Sequence, residues 1–361
     1  MADVSKDTGT AHVLFERRGH LGVVTLNRPQ AVNALTADMV AAILEQLTAW
    51  AEDDGVATVL VHGAGERGLC AGGDIVAIYQ DILAGGTQTA AFWQDEYRLN
   101  SLIANYPKPY VAFMDGLVLG GGVGISAHGS VRVVTERTRT GMPETTIGFV
   151  PDVGGTWLLA KSPGETGTHA ALTGAHLSGA DALFLGLADH HVPSENLPGL
   201  AVALESESAE AAVVRFSEQA PPSELEMQRG WIDPCYAGND AEKILARLRT
   251  VDGDAGRDAA GAATTLEAKS PTAVKVTLES LRRARHLTLD EALAQEYRVG
   301  LRCLAGPDFR EGIRAQVVDK DRNPRWKPAA LSEVQAPDVE RFFAPLADLE
   351  LNLQPKETDH V

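Results

Sequence analysis

Across the first 210 residues, short apolar runs alternate with longer stretches of helical periodicity. Gly22-Val23-Val24-Thr25-Leu26, Ala57 to Val61, Tyr110 to Met114 and Val131 to Val134 are rich in β-branched or aromatic residues and bounded by Gly, Asn or Pro, which predicts strands. Between the first two, Met39, Val40, Ile43, Leu44, Leu47 and Trp50 recur at helical spacing, with Thr36 placed to cap the helix. Strand–helix–strand alternation predicts an α/β layer. Residues 205–268 lose this clarity: Ala, Glu, Gly and Asp dominate, and the reading is one of variable helices and loops. Helical patterns return at Ser270-Pro271 and at the capping-box pair Thr288 and Glu291, after which Leu289, Leu293, Tyr297, Leu301 and Leu304 share a face. The organisation expected is a core over 1–204, a variable segment over 205–268, a helical region over 269–335 and a polar tail over 336–361.

Charge narrows the partners. A formal net charge of −17 gives no positive field for nucleic acid or anionic membranes, so an anionic ligand needs a local cluster of Lys or Arg. Cys70, Cys235 and Cys303 are too few and too scattered for a disulfide framework or a metal site, which points to a reducing compartment. His190-His191 lacks further ligands at metal spacing, so no metal is expected. No apolar run approaches membrane-spanning length, and Met1 to Ala11, with Asp3 and Asp7, does not read as a signal or transit peptide. Cytoplasmic residence is the expectation.

The chemistry concentrates in three turns. Cys70-Ala71-Gly72-Gly73-Asp74 and Gly120-Gly121-Gly122-Val123-Gly124 each lead from a strand through glycine into a helix, so backbone N–H groups and the positive helix end point at one spot. Either turn alone is more simply a tight bend. The third, residues 141–155, carries Glu144 and Asp152 among Phe149, Val150 and Trp157, an apolar setting that favours raised carboxylate pKa values. The plainer roles are Glu144 in the first turn of a helix after Pro143 and Asp152 as a cap for the helix through Trp157. His62 and His128 read as ordinary core or surface histidines, Cys70 as a small buried residue, and Arg67 as a solvated charge placed where a phosphate-bearing ligand could approach. Taken together, donors for an oxyanion and acids to move protons are what acyl chemistry at a carbonyl requires.

These residues together resemble the enoyl-CoA hydratase/isomerase (crotonase) superfamily. The resemblance runs from Leu26-Asn27-Arg28-Pro29-Gln30-Ala31-Val32-Asn33-Ala34-Leu35 through both glycine turns, covering about residues 12–345. It implies a spiral of β–β–α turns with a helical C-terminal region, a coenzyme A thioester substrate and no separate cofactor, coenzyme A being part of the substrate. It assigns the oxyanion hole to the amides of Gly73 and Gly121 and places the Ala71 carbonyl, with Arg67 nearby, toward the coenzyme A. The blocks Met142-Pro143-Glu144-Thr145 to Pro151-Asp152-Val153-Gly154-Gly155, Lys269-Ser270-Pro271-Thr272, Glu296-Tyr297-Arg298 and Asp308 to Pro328 are similar to the subgroup that hydrolyses 3-hydroxyacyl-CoA esters, a step of valine breakdown. Gly124 stands where hydratases carry Glu, which removes half of a two-acid hydration machine and leaves Glu144 to activate water or attack, with Asp152 for the substrate hydroxyl or the departing thiolate. Gln30 stands where many relatives have Lys near the phosphates. A hydratase or isomerase with Asp115 as substitute acid, and a silent coenzyme A-binding protein, are the alternatives. The resemblance also implies that the helical C-terminal region either makes subunit contacts, in a homo-oligomer, or covers the site.

Overall fold

The computed structural model describes residues 11–353; the acidic N-terminal residues before Ala11 and the last part of the expected tail, 354–361, lie outside it. Among the described residues, nine strands form two sheets: β1 (Val13–Arg18), β2 (Leu21–Leu26), β3 (Thr58–Gly63), β4 (Tyr110–Met114), β5 (Leu117–Leu119), β6 (Val131–Val134), β7 (Arg139–Gly141), β8 (Leu177–Ser178) and β9 (His190–His191). The larger sheet has the order β1-β2-β3-β4-β6-β9 and is parallel except for the β1–β2 hairpin. The smaller is β5-β7-β8. Single bridges Leu35–Gly73 and Cys70–Val118 extend this second layer. Each turn of chain thus lays down a strand in the first sheet, a short extended piece in the second and then a helix, which is the ββα spiral expected.

A parallel sheet must be covered on both faces, and the alternation along each strand shows it. Val24, Val59, Val61, Ala112 and Met114 enter the main core with Met39, Ile43 and Leu47 of the helix Ala37–Glu52, which Thr36 caps by accepting the Met39 N–H. Val23, Leu60, Val111, Phe113 and Val133 face a second cluster under the helices Leu197–Ala203 and Ala209–Phe216. Those two helices share one core, so the boundary drawn after residue 204 passes through a packed unit.

Residues 205–268 form ordered helices, including Arg229–Tyr236, Ala241–Leu248 and Gly256–Glu267, whose Ile232, Tyr236, Ile244, Leu248 and Leu266 belong to the main core. Ala and Gly blur their periodicity because small residues pack closely without marking a face. Ser270 caps Pro271–Ala284, and Thr288 with Glu291 makes a reciprocal capping box on Leu289–Ala305. The segment expected as a polar tail folds back as far as it is described: Phe343 is buried, and Arg298 pairs with Glu350. Among the described residues, no helix is long and apolar enough to cross a membrane.

Candidate active site

The opening segment 27–35 works as a staple. Asn33 sits at φ +55° and its side chain donates to the carbonyls of Ala64 and Gly68 while accepting the Arg28 N–H. The Arg28 guanidinium reaches the Ala34 carbonyl at 2.6 Å and Asp74 at 3.1 Å. Leu35 is thereby held against the first glycine turn, exchanging backbone bonds with Gly72 and Asp74. Gly72 takes φ +108°, and Gly120 in the second turn φ +50° with ψ −117°, conformations that only glycine adopts without strain.

The two turns meet. A methyl group built on Gly121 would lie 3.4 Å from the Gly73 nitrogen, and one on Gly72 would lie 3.7 Å from the Gly121 nitrogen. Among the described residues, neither the Gly73 nor the Gly121 N–H has a hydrogen-bond acceptor. Gly121 opens the helix Gly121–Ser126, whose small residues let it pack on Cys70: a Cβ on Gly122 would come within 2.4 Å of the Cys70 carbonyl oxygen.

Both turns open on a cavity of about 230 Å³, lined by Ala71, Gly72, Gly73, Gly120 and Gly121 on one side and by Glu144, Asp152, Phe149 and Phe309 on the other. Glu144 begins the short 3-10 turn Glu144–Ile147 after Pro143, as its sequence suggests, but its carboxylate turns inward. Glu144 Oε1 lies against Gly120, 2.7 Å from where a Cβ would be, and Oε2 is buried without a partner. Burial first, then the nearby Asp152 charge, holds Glu144 well above the usual carboxylate range. Asp152 Oδ2 accepts the Tyr97 hydroxyl at 2.7 Å, and burial pushes this acid up to about 7 against that bond.

A third acid was not visible in the sequence reading. Glu96, on the helix Gln88–Ala104, lines the same cavity; its Oε1 lies beside Gly121 and has no partner. Burial and the Asp152 charge raise it well above the ordinary range. Its signal was the spacing Phe92, Glu96, Asn100 along one helical face, an acid on an otherwise inward stripe. Buried carboxylate oxygens left unpaired beside free amides mark a functional site more than a structural one.

Other expectations are redistributed. Asp152 does not cap the following helix, Gly155–Ala160. Glu296, from the helix Leu289–Ala305, occupies that end, accepting the Gly154 N–H at 2.7 Å, the Thr156 N–H at 3.0 Å and the Thr156 hydroxyl. Trp157 lies off the cavity and donates to the Leu287 carbonyl; the apolar wall comes instead from Trp93, Phe149 and Phe309, stacked with Trp93–Phe149 centroids 5.2 Å and Phe149–Phe309 centroids 4.6 Å apart. Asp115 faces Arg137 and Thr135, away from these residues, so it is no substitute acid. His128 is buried, its Nε2 2.7 Å from the Val153 carbonyl oxygen, and burial lowers it to about 4. Cys70 is buried and its thiol is pushed up to about 12, which removes it as a nucleophile. Ala71 lines the cavity, whereas Arg67 stays exposed on the outer surface, its guanidinium 3.5 Å from the Gln30 carbonyl. Among the described residues, no group of three or more His, Cys, Asp or Glu is arranged to hold a metal.

The position equivalent to the hydratase acid is closed. A Cβ on Gly124 would fall 2.7 Å from the Val153 Cβ and 2.9 Å from Asn100 Nδ2. The arrangement can polarise a carbonyl with two amides and move protons with buried acids, and Ile75 and Ile78 add apolar surface to the same cavity.

Comparison with known proteins agrees. The sequence profile of the enoyl-CoA hydratase/isomerase family matches residues 21–343. The chain is 42% identical over 359 residues to the mitochondrial 3-hydroxyisobutyryl-CoA hydrolase of Rattus norvegicus, covering 96% of this chain and 92% of that protein. To the Homo sapiens protein of the same name it is 39% identical over 360 residues, with the same coverage of 96% and 92%. Among solved structures, a carnitinyl-CoA dehydratase from Mycobacterium thermoresistibile superposes with a TM-score of 0.91 at 52% identity, over 95% of this chain and 99% of that one. An enoyl-CoA hydratase from Rhodobacter sphaeroides 2.4.1 gives 0.89 at 40% identity, over 95% and 100%. The spiral of ββα turns, the paired glycine amides and these matches together place the chain in the enoyl-CoA hydratase/isomerase family.

Proposed function

We propose that this protein hydrolyses short 3-hydroxyacyl-CoA thioesters, with 3-hydroxyisobutyryl-CoA as substrate and 3-hydroxyisobutyrate and coenzyme A as products, a step of valine breakdown. The observation that carries the reading is the convergence of two unpaired amides, Gly73 and Gly121, on a cavity that holds Glu144 while Gly124 is too crowded to bear an acid. The substrate carbonyl lies against the two N–H groups, each worth about 3 kcal/mol to the developing oxyanion. Glu144 takes a proton from the attacking water, or attacks to give a mixed anhydride that water opens. On the first route the C–S bond breaks and the proton taken from water passes to the departing thiolate; on the second Glu144 displaces the thiolate, which takes a proton from another acid of the site, and water then opens the anhydride and frees Glu144. Asp152, already a hydrogen-bond acceptor for Tyr97, accepts the substrate 3-hydroxyl or serves that last transfer. A site built to bond a hydroxyl rejects analogues lacking it by powers of ten. Coenzyme A enters as part of the substrate, and no cofactor is invoked.

One observation favours a second reading. Glu96 and Glu144 flank the Gly120-Gly121 turn as two buried acids, and two solved relatives carry dehydratase and hydratase names. Thiol release and enoyl absorbance, measured side by side on 3-hydroxyisobutyryl-CoA, isobutyryl-CoA and crotonyl-CoA, separate the two. The hydrolase reading expects thiol from the hydroxyacyl ester and no hydration of crotonyl-CoA. Loss of enoyl absorbance without thiol release establishes the hydratase.

The compartment and assembly belong to the same proposal. The three cysteines are free and buried, which suits a reducing compartment, cytoplasmic as expected or mitochondrial as the relatives above are named. Cell fractionation decides the first, and light scattering decides whether the chain forms a homo-oligomer.

A further inference from the structure

Asp152 is aimed by a stretch of backbone that its own sequence disfavours. Val153 and Gly154, which follow it, both lie in the left-handed region, at φ +51° and +79°. Glycine accepts this freely; a β-branched residue does so at a cost of order 1–3 kcal/mol and only where the surroundings impose it. The surroundings are identifiable. His128 Nε2 meets the Val153 carbonyl at 2.7 Å. Glu296 takes the Gly154 N–H with one oxygen and both Thr156 donors with the other, so its carboxylate fills the N-terminus of Gly155–Ala160. Tyr297, the next residue, packs edge-on against Tyr97, the phenol that holds Asp152, with centroids 6.2 Å apart. All of Glu296, Thr156, Asp152 and Tyr97 are buried. One helix from the C-terminal region therefore grips both the backbone leaving Asp152 and the donor on its side chain.

We propose that Glu296 is a positioning residue: it holds the Val153–Thr156 backbone in the form that directs Asp152 into the cavity, and it thereby sets the preference for acyl groups bearing a 3-hydroxyl. The proposal rests on the reading of Asp152 as the hydroxyl's partner. Glu296 touches no reacting atom; it acts through the loop. Its effect should fall on selectivity and turnover rather than on coenzyme A binding, because the amides and the coenzyme side of the cavity belong to other turns.

The test compares kcat/KM for 3-hydroxyisobutyryl-CoA and isobutyryl-CoA in the parent protein, Glu296→Gln, Thr156→Val, Asp152→Asn and the Asp152→Asn/Glu296→Gln pair, with coenzyme A affinity measured alongside. Glu296→Gln should lower the hydroxyacyl preference about tenfold, the order expected of a modest misplacement, while coenzyme A affinity stays within about threefold. Thr156→Val should move the ratio in the same direction by less. The double variant should be no less selective than Asp152→Asn alone, since coupled residues are non-additive. Equal losses on both substrates, or additive losses in the double variant, overturn the proposal. If Glu296→Gln fails to fold, an unchanged ratio in Thr156→Val overturns it. An unchanged ratio in Asp152→Asn refutes the reading of Asp152 and this inference with it, whereas a changed ratio there with none in Glu296→Gln refutes the inference alone.

Discussion

The two glycine turns and the C-terminal helices contribute to one cavity by opposite means. The turns supply backbone: Gly73 and Gly121 offer amides, and their neighbours are small so that the layers can approach. The helical region supplies side chains: Phe309 walls the cavity, and Glu296 fixes the loop of Asp152 from 140 residues away. Backbone donors are set by local conformation, which glycine spacing announces. Long-range side chains are set by packing, which no local pattern announces. The acids Glu144 and Asp152 stand between, local in sequence yet shaped by burial.

This contrast can be broken by substitution, and the largest effect falls on Glu144, the acid assigned to the reaction itself. Glu144→Gln keeps shape and hydrogen-bonding capacity but cannot carry the reaction's proton or nucleophile. Its kcat should drop by roughly 10²–10⁴-fold in a thiol-release assay, with coenzyme A affinity retained. Near-normal turnover would move catalysis to Glu96 or elsewhere.

Gly124→Ala probes the closed position. The added methyl meets Val153 within 2.7 Å, and Val153 is already at φ +51°, so the loop of Asp152 must shift. A loss of about 1–3 kcal/mol in unfolding free energy and a weaker hydroxyacyl preference are expected, read by denaturant titration and by paired kcat/KM values. Gly124→Glu should fail to create crotonyl-CoA hydration for the same steric reason.

The pH profile sharpens the electrostatic side. Burial raises Glu144 and Asp152, the latter to about 7. If Glu144 works ionised, kcat/KM should rise with pH through neutrality as the site loses protons. Asp152→Asn removes a negative charge that raises Glu144, so the rising limb should move to lower pH. The stability sign follows from the same shift. The folded state binds the Asp152 proton more tightly than the unfolded chain does, so this group's contribution is fully present below pH 3.8 and is lost as pH climbs to about 7. Asp152→Asn should therefore flatten that decline in a denaturation series.

The smallest effect is expected at Cys70. Its thiol is buried and raised to about 12, and it packs beside Gly72 without serving as a nucleophile. Cys70→Ala should keep turnover within a few-fold, and loss of all turnover would revive it as a catalytic candidate.

These residues also show why the sequence was legible where it was. Thr36, Ser270 and the Thr288–Glu291 box act within a single helical turn, and the structure places each as a cap. The strands β2, β3, β4 and β6 lie where β-branched runs predict them, because a buried parallel strand has no choice of composition. Glu96 was missed because an acid on an amphipathic helix ordinarily faces water; its inward setting shows in the packing, where its Oε1 lies beside Gly121. A cap on Gly155–Ala160 is the plainer role that its position before the helix suggests for Asp152, yet the acid at that helix end comes from Leu289–Ala305. Residues 205–268, expected as variable helices and loops, are helical, but Ala and Gly obscured the helix bounds because their small side chains weaken hydrophobic contrast.

The most direct measurement is a crystal structure of Glu144→Gln with 3-hydroxyisobutyryl-CoA bound. The account predicts the thioester oxygen at about 2.7–3.1 Å from both the Gly73 and Gly121 nitrogens, residue 144 facing the carbonyl carbon and the acyl hydroxyl at Asp152. A thioester oxygen turned away from those two amides would contradict it.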